Sequence, residues 1–201
     1  MRHHHNFLDP VNPFGSEEFN PKDFNFFIGS KRNLIDGGLI EQASAWKMSH
    51  MLDPYNQRFS GLSFGEFTLT SNAVCEISMP HLAPNEDCDC GFYAFDSLSK
   101  AIDVSSHSRG LLLMKVEFYG KIIEHDYGFR AEEQVIEKLF LNSKCSRFFC
   151  RRPTVGVIQS RRIWRNVCEE HTNPSFINIE KLSFILKREI GLFNKKSREL
   201  I

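Results

Sequence analysis

Leu111-Leu-Leu-Met-Lys-Val-Glu-Phe-Tyr-Gly-Lys-Ile-Ile-Glu124 is the stretch that most strongly constrains the fold. Apolar side chains take every second position in its first half, at Leu112, Met114, Val116 and Phe118, with Lys115, Glu117 and Tyr119 between them. This period of two places alternate side chains on opposite faces of a β-strand. Gly120 is typical of a bulge or a bend. The stretch therefore predicts a long, half-buried strand.

Three later segments carry helical spacing instead. Residues 131–141 place Val135, Ile136, Leu139 and Phe140 on one stripe, and residues 161–170 are a second candidate helix. Asn178 can cap a third helix, which we expect to end at Gly191. Strands that come first and helices that come later are typical of an α+β fold. The sequence predicts a small antiparallel sheet with a zinc-stapled loop, followed by C-terminal helices.

The chain divides into three parts by composition. Residues 1–37 are rich in Asn, Asp, Pro, Gly and Phe and have no regular period, which predicts a flexible or docking arm. Residues 38–141 form the α+β domain, and residues 142–201 form a basic, helical C-terminal segment. The formal net charge of the 201 residues is +0, so the composition does not indicate a protein that is basic over its whole surface.

The sequence also bears on location. It contains no run of about 18 apolar residues, so we expect no transmembrane helix. Its first residues, Met1 to Asn6, have no apolar run after their charge, unlike a secretory signal. The expected compartment is the cytoplasm, where the 6 cysteines should be reduced or bound to metal.

A cysteine–histidine cluster is the clearest chemical motif. Its spacing is Cys75-x5-His81-x6-Cys88-x-Cys90, and we name these four residues cluster 1. Thiolate and imidazole are the donors that zinc prefers, and structural zinc sites are closed by four such donors. The sequence predicts one structural zinc ion here. Two alternatives stay open: ordinary packed cysteines, or a reactive site with Cys90 as a nucleophile or half of a redox pair.

The remaining three cysteines suggest a second set. Cys145-x4-Cys150-x17-Cys168-x2-His171 supplies another four donors, which we name cluster 2. A second zinc ion is predicted here, with packed cysteines as the alternative.

A basic segment overlaps cluster 2. Arginines are frequent in it and acids are absent from residue 144 to residue 165, with aromatic side chains interleaved. Guanidinium groups beside aromatic rings are suited to phosphates and unstacked bases. The candidate nucleic-acid or phosphate-binding residues are Arg147, Arg151, Arg152, Arg161, Arg162, Trp164 and Arg165. The alternative is a solvated face that pairs with neighbouring glutamates.

Polar residues also gather between residues 120 and 133. His125 and Arg130 can contact an anion near the start of the predicted helix, and Glu132 lies beside them. These three are the catalytic candidates if the protein acts on a phosphate-containing substrate. The alternative is a structural turn in which Gly128 is the hinge.

Two segments together resemble a family of small uncharacterised bacterial proteins. The segments are His81-Leu-Ala-Pro84 with Cys88-x-Cys90-Gly-x-Tyr-Ala94, and Gly120-x3-Glu124-His-x2-Gly128-x-Arg-Ala-Glu132. The resemblance covers residues 38–141, and Trp46 and Cys75 also fit it. It implies one unit that includes cluster 1 and residues 125–132, with no assigned activity. Phe118 and Tyr119 depart from the pattern, which has a tryptophan just before the glycine.

Three functional hypotheses follow from these features. The first is a zinc-stabilised binding module that contacts nucleic acid or a protein partner through the basic aromatic segment. The second is an enzyme that acts on a phosphate-containing substrate through His125, Arg130 and Glu132. The third is a structural or assembly protein that docks through its Phe-rich arm.

Overall fold

A computed structural model describes residues 42–62, 65–75, 81–104 and 110–201. Over these ranges the chain forms a twelve-stranded mixed sheet, two short α-helices and one 3-10 helix. The strands are β1 (Gln42–Asp53), β2 (Arg58–Ser60), β3 (Glu66–Phe67), β4 (Thr70–Asn72), β5 (Phe92–Phe95), β6 (Leu112–His125), β7 (Gly128–Asn142), β8 (Gly156–Ser160), β9 (Ile163–Val167), β10 (Ile177–Asn178), β11 (Ile190–Asn194) and β12 (Glu199–Leu200). The helices are α1 (Leu98–Val104) and α2 (Ile179–Leu186), and the 3-10 helix is Glu169–His171.

The predicted fold, a small sheet followed by C-terminal helices, is wrong. The long strand predicted at residues 111–124 is present as β6, but the helix expected after it is β7, the second arm of a long antiparallel hairpin. Residues 161–170, the second expected helix, contain all of β9 and the first two residues of the 3-10 helix. Of these three expected helices only the third exists, as α2, and it ends at Leu186 and not at Gly191, because Gly191 belongs to β11. There the Asn178 side chain caps the first turn by accepting a hydrogen bond from the Lys181 N–H at 2.8 Å.

A β-bulge explains why β7 has the spacing of a helix. The register between β6 and β7 shifts after the pair Lys115–Lys138, so that Val116 lies opposite Ile136. The extra residue on β7 reverses the alternation of side chains at that point. Ile136 and Leu139, three positions apart as on a helix, are both fully buried as a result.

Both faces of β6 are buried, and this weakens the alternation of apolar and polar residues in its sequence. Leu113 and Met114 are neighbours in β6 and both are fully buried, but they belong to different hydrophobic clusters. Met114 packs in the larger cluster with Phe59 and Phe118. Leu113 packs on the other face beside α1. A strand covered on both faces has a near-continuous apolar sequence, and a simple period of two is lost.

The hairpin of β6 and β7 organises the remaining strands. β1 lies antiparallel to β6, and β5 pairs with both β7 and β1, so these four strands form a closed circuit of hydrogen-bonded neighbours. β9 pairs with β1, and β11 runs parallel to β7, which joins the last third of the chain to the same sheet. The predicted division at residues 37 and 141 stays a prediction, and the N-terminal arm lies outside the described residues.

Neither α-helix of the described ranges combines the length and apolar character that crossing a membrane requires.

Candidate metal centres and adjoining cavities

Cluster 1 lies between the end of β4 and the start of β5. Cys75 follows β4, and His81, Cys88 and Cys90 belong to the loop that enters β5. Their four donor atoms all lie within 4.8 Å of one another. The Cys75 and Cys88 sulfurs are 3.7 Å apart, and His81 Nε2 is 3.2 Å from the Cys90 sulfur. The cluster can hold a metal ion.

Cluster 2 is assembled from three separate places in the chain. Cys145 follows β7, Cys150 lies in the next loop, and Cys168 and His171 bracket the start and end of the 3-10 helix after β9. The four donors again lie within 4.8 Å of one another. The Cys150 and Cys168 sulfurs are 3.7 Å apart, and His171 Nδ1 is 3.2 Å from Cys168 Sγ and 3.5 Å from Cys145 Sγ. This cluster, too, can hold a metal ion.

Each cluster contains one thiol that favours ionisation. Burial alone would raise the pKa of Cys88, but hydrogen bonds from the Cys90 backbone and from neighbouring thiols outweigh it, so the pKa is lowered. In cluster 2 burial acts in the same way on Cys168, and hydrogen bonds from Cys150 and His171 lower its pKa overall. Burial raises the pKa of Cys90 in cluster 1 and of Cys145 in cluster 2. Thiolate is the form that binds metal, so Cys88 and Cys168 are the thiols most ready to ligate.

Arg130 fixes the loop that carries cluster 1. Its side chain is only 2 % exposed and its guanidinium donates to two backbone carbonyls of that loop, at Cys88 and, at 3.1 Å, at Asn85. The same guanidinium lies 5.8 Å from the centre of the Tyr93 ring. Arg130 is therefore a positioning residue for the metal loop in this structure.

Gly91 makes this arrangement possible. It has a φ of +119°, and a Cβ added there would lie 2.7 Å from Arg130 Cγ. A side chain at this position would meet both backbone strain and the arginine, so glycine is required beside Cys90.

The other two catalytic candidates lie in the β6–β7 hairpin. His125 ends β6 and is buried, at 7 % exposure. Glu132 lies in β7, where its carboxylate accepts a hydrogen bond from the Lys121 N–H at 3.1 Å beside Gly120. No helix begins in this stretch, so the expected helix N-terminus for an anion is absent here. The enzyme hypothesis itself stays a prediction.

The loop between Cys145 and Cys150 presents two aromatic rings to solvent. Phe148 is 66 % exposed and Phe149 is 89 % exposed, and their ring centres are 4.0 Å apart. Phe149 has a φ of +61°, a left-handed conformation that bulky side chains rarely adopt. A constrained loop that exposes two phenylalanines is unusual for a surface with no partner.

A basic cavity of about 390 Å³ adjoins this loop. Phe149 forms part of its wall, and none of the described residues that line it is acidic. Its basic residues are Lys144, Arg147, Arg151, Lys195 and Lys196. The cavity is therefore an electropositive recess beside an exposed aromatic pair.

The remaining predicted binding residues are dispersed. Arg152 forms an ion pair with Glu170, as the solvated-face alternative expects. Arg161 and Arg162 are exposed at the turn between β8 and β9. Trp164 is buried, with its ring 6.4 Å from that of Tyr55, and Arg165 is half-buried. The structure thus brings Arg147 and Arg151 to the basic cavity and leaves these other side chains outside its wall.

A second cavity, of about 590 Å³, contains a residue that the sequence did not single out. Lys47 of β1 is 8 % exposed, and its Nζ donates to Gln134 Oε1 at 3.0 Å. The Nζ also lies 4.3 Å from the centre of the Phe67 ring and 5.2 Å from that of Phe92. We name this space the lysine cavity. A lone lysine in a strand normally faces solvent, so no sequence pattern marks this position.

Burial lowers the pKa of Lys47 to about 7, because the charged amine is poorly solvated there. The unfolded chain holds this proton up to about pH 10.5, whereas the folded chain releases it near pH 7. Between these values the unfolded state binds more protons, so the stability of the protein rises with pH.

Lys47→Met should remove this rise. Relative to the variant, the wild-type chain should gain on the order of 3 kcal/mol of unfolding free energy between about pH 7 and pH 9.5. Urea denaturation of both proteins at the two pH values measures the difference. Lys115→Met is the matched control, because Lys115 lies on neighbouring β6 and pairs with Glu137 at 2.7 Å. Equal pH dependence of wild type and Lys47→Met would contradict the burial argument.

Comparison of the chain with protein-family models, with curated proteins and with solved structures found no match. The features of the described residues that bear on function are clusters 1 and 2, the basic cavity and the lysine cavity.

Proposed function

We propose that the protein is a zinc-stabilised module that binds single-stranded nucleic acid through the loop between Cys145 and Cys150. The observation that carries this proposal is the exposed pair Phe148 and Phe149, which lies between two ligands of cluster 2 and beside a cavity with a basic wall. A protein partner is the alternative occupant of the same surface.

Donor chemistry and geometry support zinc as the metal. Three thiols and one imidazole in each cluster form a donor set that is typical of structural zinc sites. A tetrahedral site with Zn–S bonds of about 2.3 Å has sulfur–sulfur edges of about 3.8 Å. The separations of 3.7 Å in both clusters fit such an edge. A disulfide would instead require sulfurs about 2.05 Å apart.

Four protein donors per cluster favour a structural role over a catalytic one. A catalytic zinc ion keeps one coordination position for water or substrate, whereas a Cys3His set fills all four. Zinc in cluster 2 would tie Cys145 and Cys150 to the 3-10 helix and so fix the short loop between them. A fixed loop loses less conformational entropy when it binds a ligand, which favours affinity.

Aromatic and basic groups on this surface are complementary to a single strand. Unpaired bases stack on exposed rings whatever their identity, and phosphates pair with lysine and arginine. Phe148 and Phe149 supply the rings, and Arg147 and Arg151 supply guanidinium groups on either side of them. The zero net charge of the chain is compatible with this interpretation, because the wall of this cavity carries basic residues and no acidic one among the described residues.

The double variant Phe148→Ala, Phe149→Ala should weaken binding of a fluorescent single-stranded RNA about 12 nucleotides long. Loss of stacking should raise Kd by about 10-fold or more, since base–aromatic stacking contributes about 1–3 kcal/mol per base. Fluorescence anisotropy measures the change. Phe184→Ala is the matched control, because Phe184 is 84 % exposed on α2 and lies outside the loop. Its Kd should equal that of the wild type.

Charge variants test the same surface independently. Arg147→Gln with Arg151→Gln should reduce the slope of log Kd against log salt by about 1–2, because each phosphate contact releases counterions. Arg161→Gln with Arg162→Gln, at the β8–β9 turn, should leave the slope unchanged. Absence of binding by the wild-type protein at about 50 mM salt would overturn the nucleic-acid proposal and favour a protein partner.

A further inference from the structure

Burial of Lys47 lowers the stability of the folded protein, and the proposed zinc module does not explain why a lysine is placed there. A buried ammonium group usually has an acidic partner, because an unpaired charge is poorly solvated in a protein interior. Among the described residues Lys47 forms no ion pair, and its hydrogen bond goes to the neutral amide of Gln134. Burial is the sole cause that shifts its pKa. By contrast, Lys115 on the neighbouring strand contacts both Glu117 and Glu137.

The lysine cavity has the size and the lining of a small-molecule site. Its wall includes exposed residues such as Glu66 and Val74, so the cavity reaches the protein surface. Its interior is rich in aromatic rings: Phe67, Phe92, Tyr93, Phe95, Tyr127 and Phe129. Its volume, about 590 Å³, lies in the range of small-molecule sites, which are mostly apolar with a few polar groups.

We propose that Lys47 forms an imine with the aldehyde or ketone group of a small apolar or aromatic molecule bound in the lysine cavity. The Lys47 amine lies between Gln134 and two phenylalanine rings, and Lys47 belongs to the wall of an open, mostly apolar cavity. This placement is the geometry that supports the proposal. The proposal does not rest on nucleic-acid binding, and Cys75 and Cys90 of cluster 1 belong to the cavity wall without taking part in the imine chemistry.

The reaction needs no oxidant or reductant. The neutral amine of Lys47 adds its lone pair to the carbonyl carbon, and the carbonyl π electrons move to the oxygen, which takes up a proton. The nitrogen loses its first proton at this stage, which balances the one taken up by the oxygen and gives a neutral carbinolamine. The hydroxyl group and the second nitrogen proton then leave together as one water molecule, and the carbon–nitrogen double bond forms. One amine and one carbonyl compound thus give one imine and one water molecule. A lysine desolvated in an apolar pocket is activated for this chemistry, because it is partly neutral near pH 7.

Other titratable groups share the cavity wall. They are Glu66, Cys75, Asp89, Cys90, Tyr93, His125 and Tyr127. Both acids belong to the wall, but neither forms an ion pair with Lys47. The Lys47 amine is therefore not held by a carboxylate. A bound carbonyl compound would have to displace only the Gln134 amide and water from it.

Reductive trapping tests the proposal on the full-length protein. Benzaldehyde and cyanoborohydride at about pH 7 reduce any imine to a stable secondary amine, since hydride adds to the imine carbon and the nitrogen takes a proton from water. Peptide mass mapping then locates the label. Lys47 should be labelled at least about 10-fold faster than Lys115, because the hydrogen bond to Glu137 raises the pKa of Lys115 and keeps its amine protonated at this pH. The preference should disappear when the chain is labelled in concentrated urea.

Two variants complete the test. Lys47→Arg keeps a positive charge but has no nucleophilic amine, so its labelling should be confined to the slow surface lysines. Lys115→Arg, as the matched control, should keep the fast label. Labelling of Lys47 at the rate of the surface lysines, or no label on Lys47 in the folded wild-type protein, would overturn the proposal. If a variant folds poorly, the labelling rate of Lys47 in the wild-type protein, folded and in urea, still tests the proposal.

Discussion

Cys168→Ser should lower the melting temperature of the full chain by about 10–20 °C and remove one zinc ion per molecule. Cys168 is 2 % exposed and its sulfur lies within 3.7 Å of both Cys150 Sγ and His171 Nδ1. Zinc bound by a folded site contributes directly to folding, and losing about 5 kcal/mol shifts the melting temperature of a chain of this size by roughly that range. Calorimetry together with metal analysis gives both readouts.

A control must distinguish the destabilisation caused by loss of zinc from the destabilisation caused by burying a serine hydroxyl group. Ala101→Ser places a serine at a position in α1 that is fully buried and contributes no donor to either cluster. It should cost about 1–3 kcal/mol and leave the zinc content unchanged. If Cys168→Ser and Ala101→Ser had equal melting temperatures and equal zinc contents, cluster 2 would be a set of packed cysteines.

Arg130→Met should destabilise the protein by about 2–5 kcal/mol, because two part-buried backbone carbonyl groups would lose their charged hydrogen-bond donor. The same change should weaken zinc binding at cluster 1 about 10- to 100-fold, the usual effect of removing a group that orients a metal ligand. The carbonyl of Cys88 is one of the two acceptors, so the loop position of that ligand depends on Arg130. Competition with a chromogenic chelator measures the zinc affinity, and urea denaturation measures the stability.

Two further variants complete this test: Arg130→Lys is the conservative replacement, and Arg188→Met is the matched control. Lysine keeps the charge but lacks the planar fork that spans Asn85 and Cys88, so it should restore only part of the lost affinity. Arg188 donates its Nε to the Ile136 carbonyl at 2.8 Å, and Arg188→Met should lower stability without changing zinc affinity at cluster 1. Full zinc affinity in Arg130→Met would show that the arginine does not position the metal loop.

The sequence was sufficient to group the metal donors. Cysteine and histidine spacing separated eight candidate donors into two sets, and the same eight side chains form the two clusters in the structure. This grouping succeeds because few residue types bind zinc, and because each set has at least two members close in sequence. The Asn178 cap was also readable, since capping depends on local side-chain chemistry.

Long-range packing explains why the fold prediction was wrong and why some features could not be seen in the sequence. The bulge opposite Lys115 places Ile136 and Leu139 on one face, and no local pattern distinguishes this from a helix. The buried state of Lys47 depends on Phe67, Phe92 and Gln134, which come from β3, β5 and β7 and approach only when the sheet forms. The assignment of Arg130 to the metal loop likewise needs contacts across more than 40 positions of sequence, such as the one to Cys88.

Zinc content is the most direct test of the central claim that two Cys3His clusters fix this fold and its exposed aromatic loop. Elemental analysis of the purified full-length chain, after removal of loosely bound metal, should give two zinc ions per molecule, one for each cluster. Treatment with a strong chelator should then remove both ions and lower the melting temperature. A chain that contains no zinc, and whose melting temperature is unchanged by the chelator or by added zinc, would contradict the account.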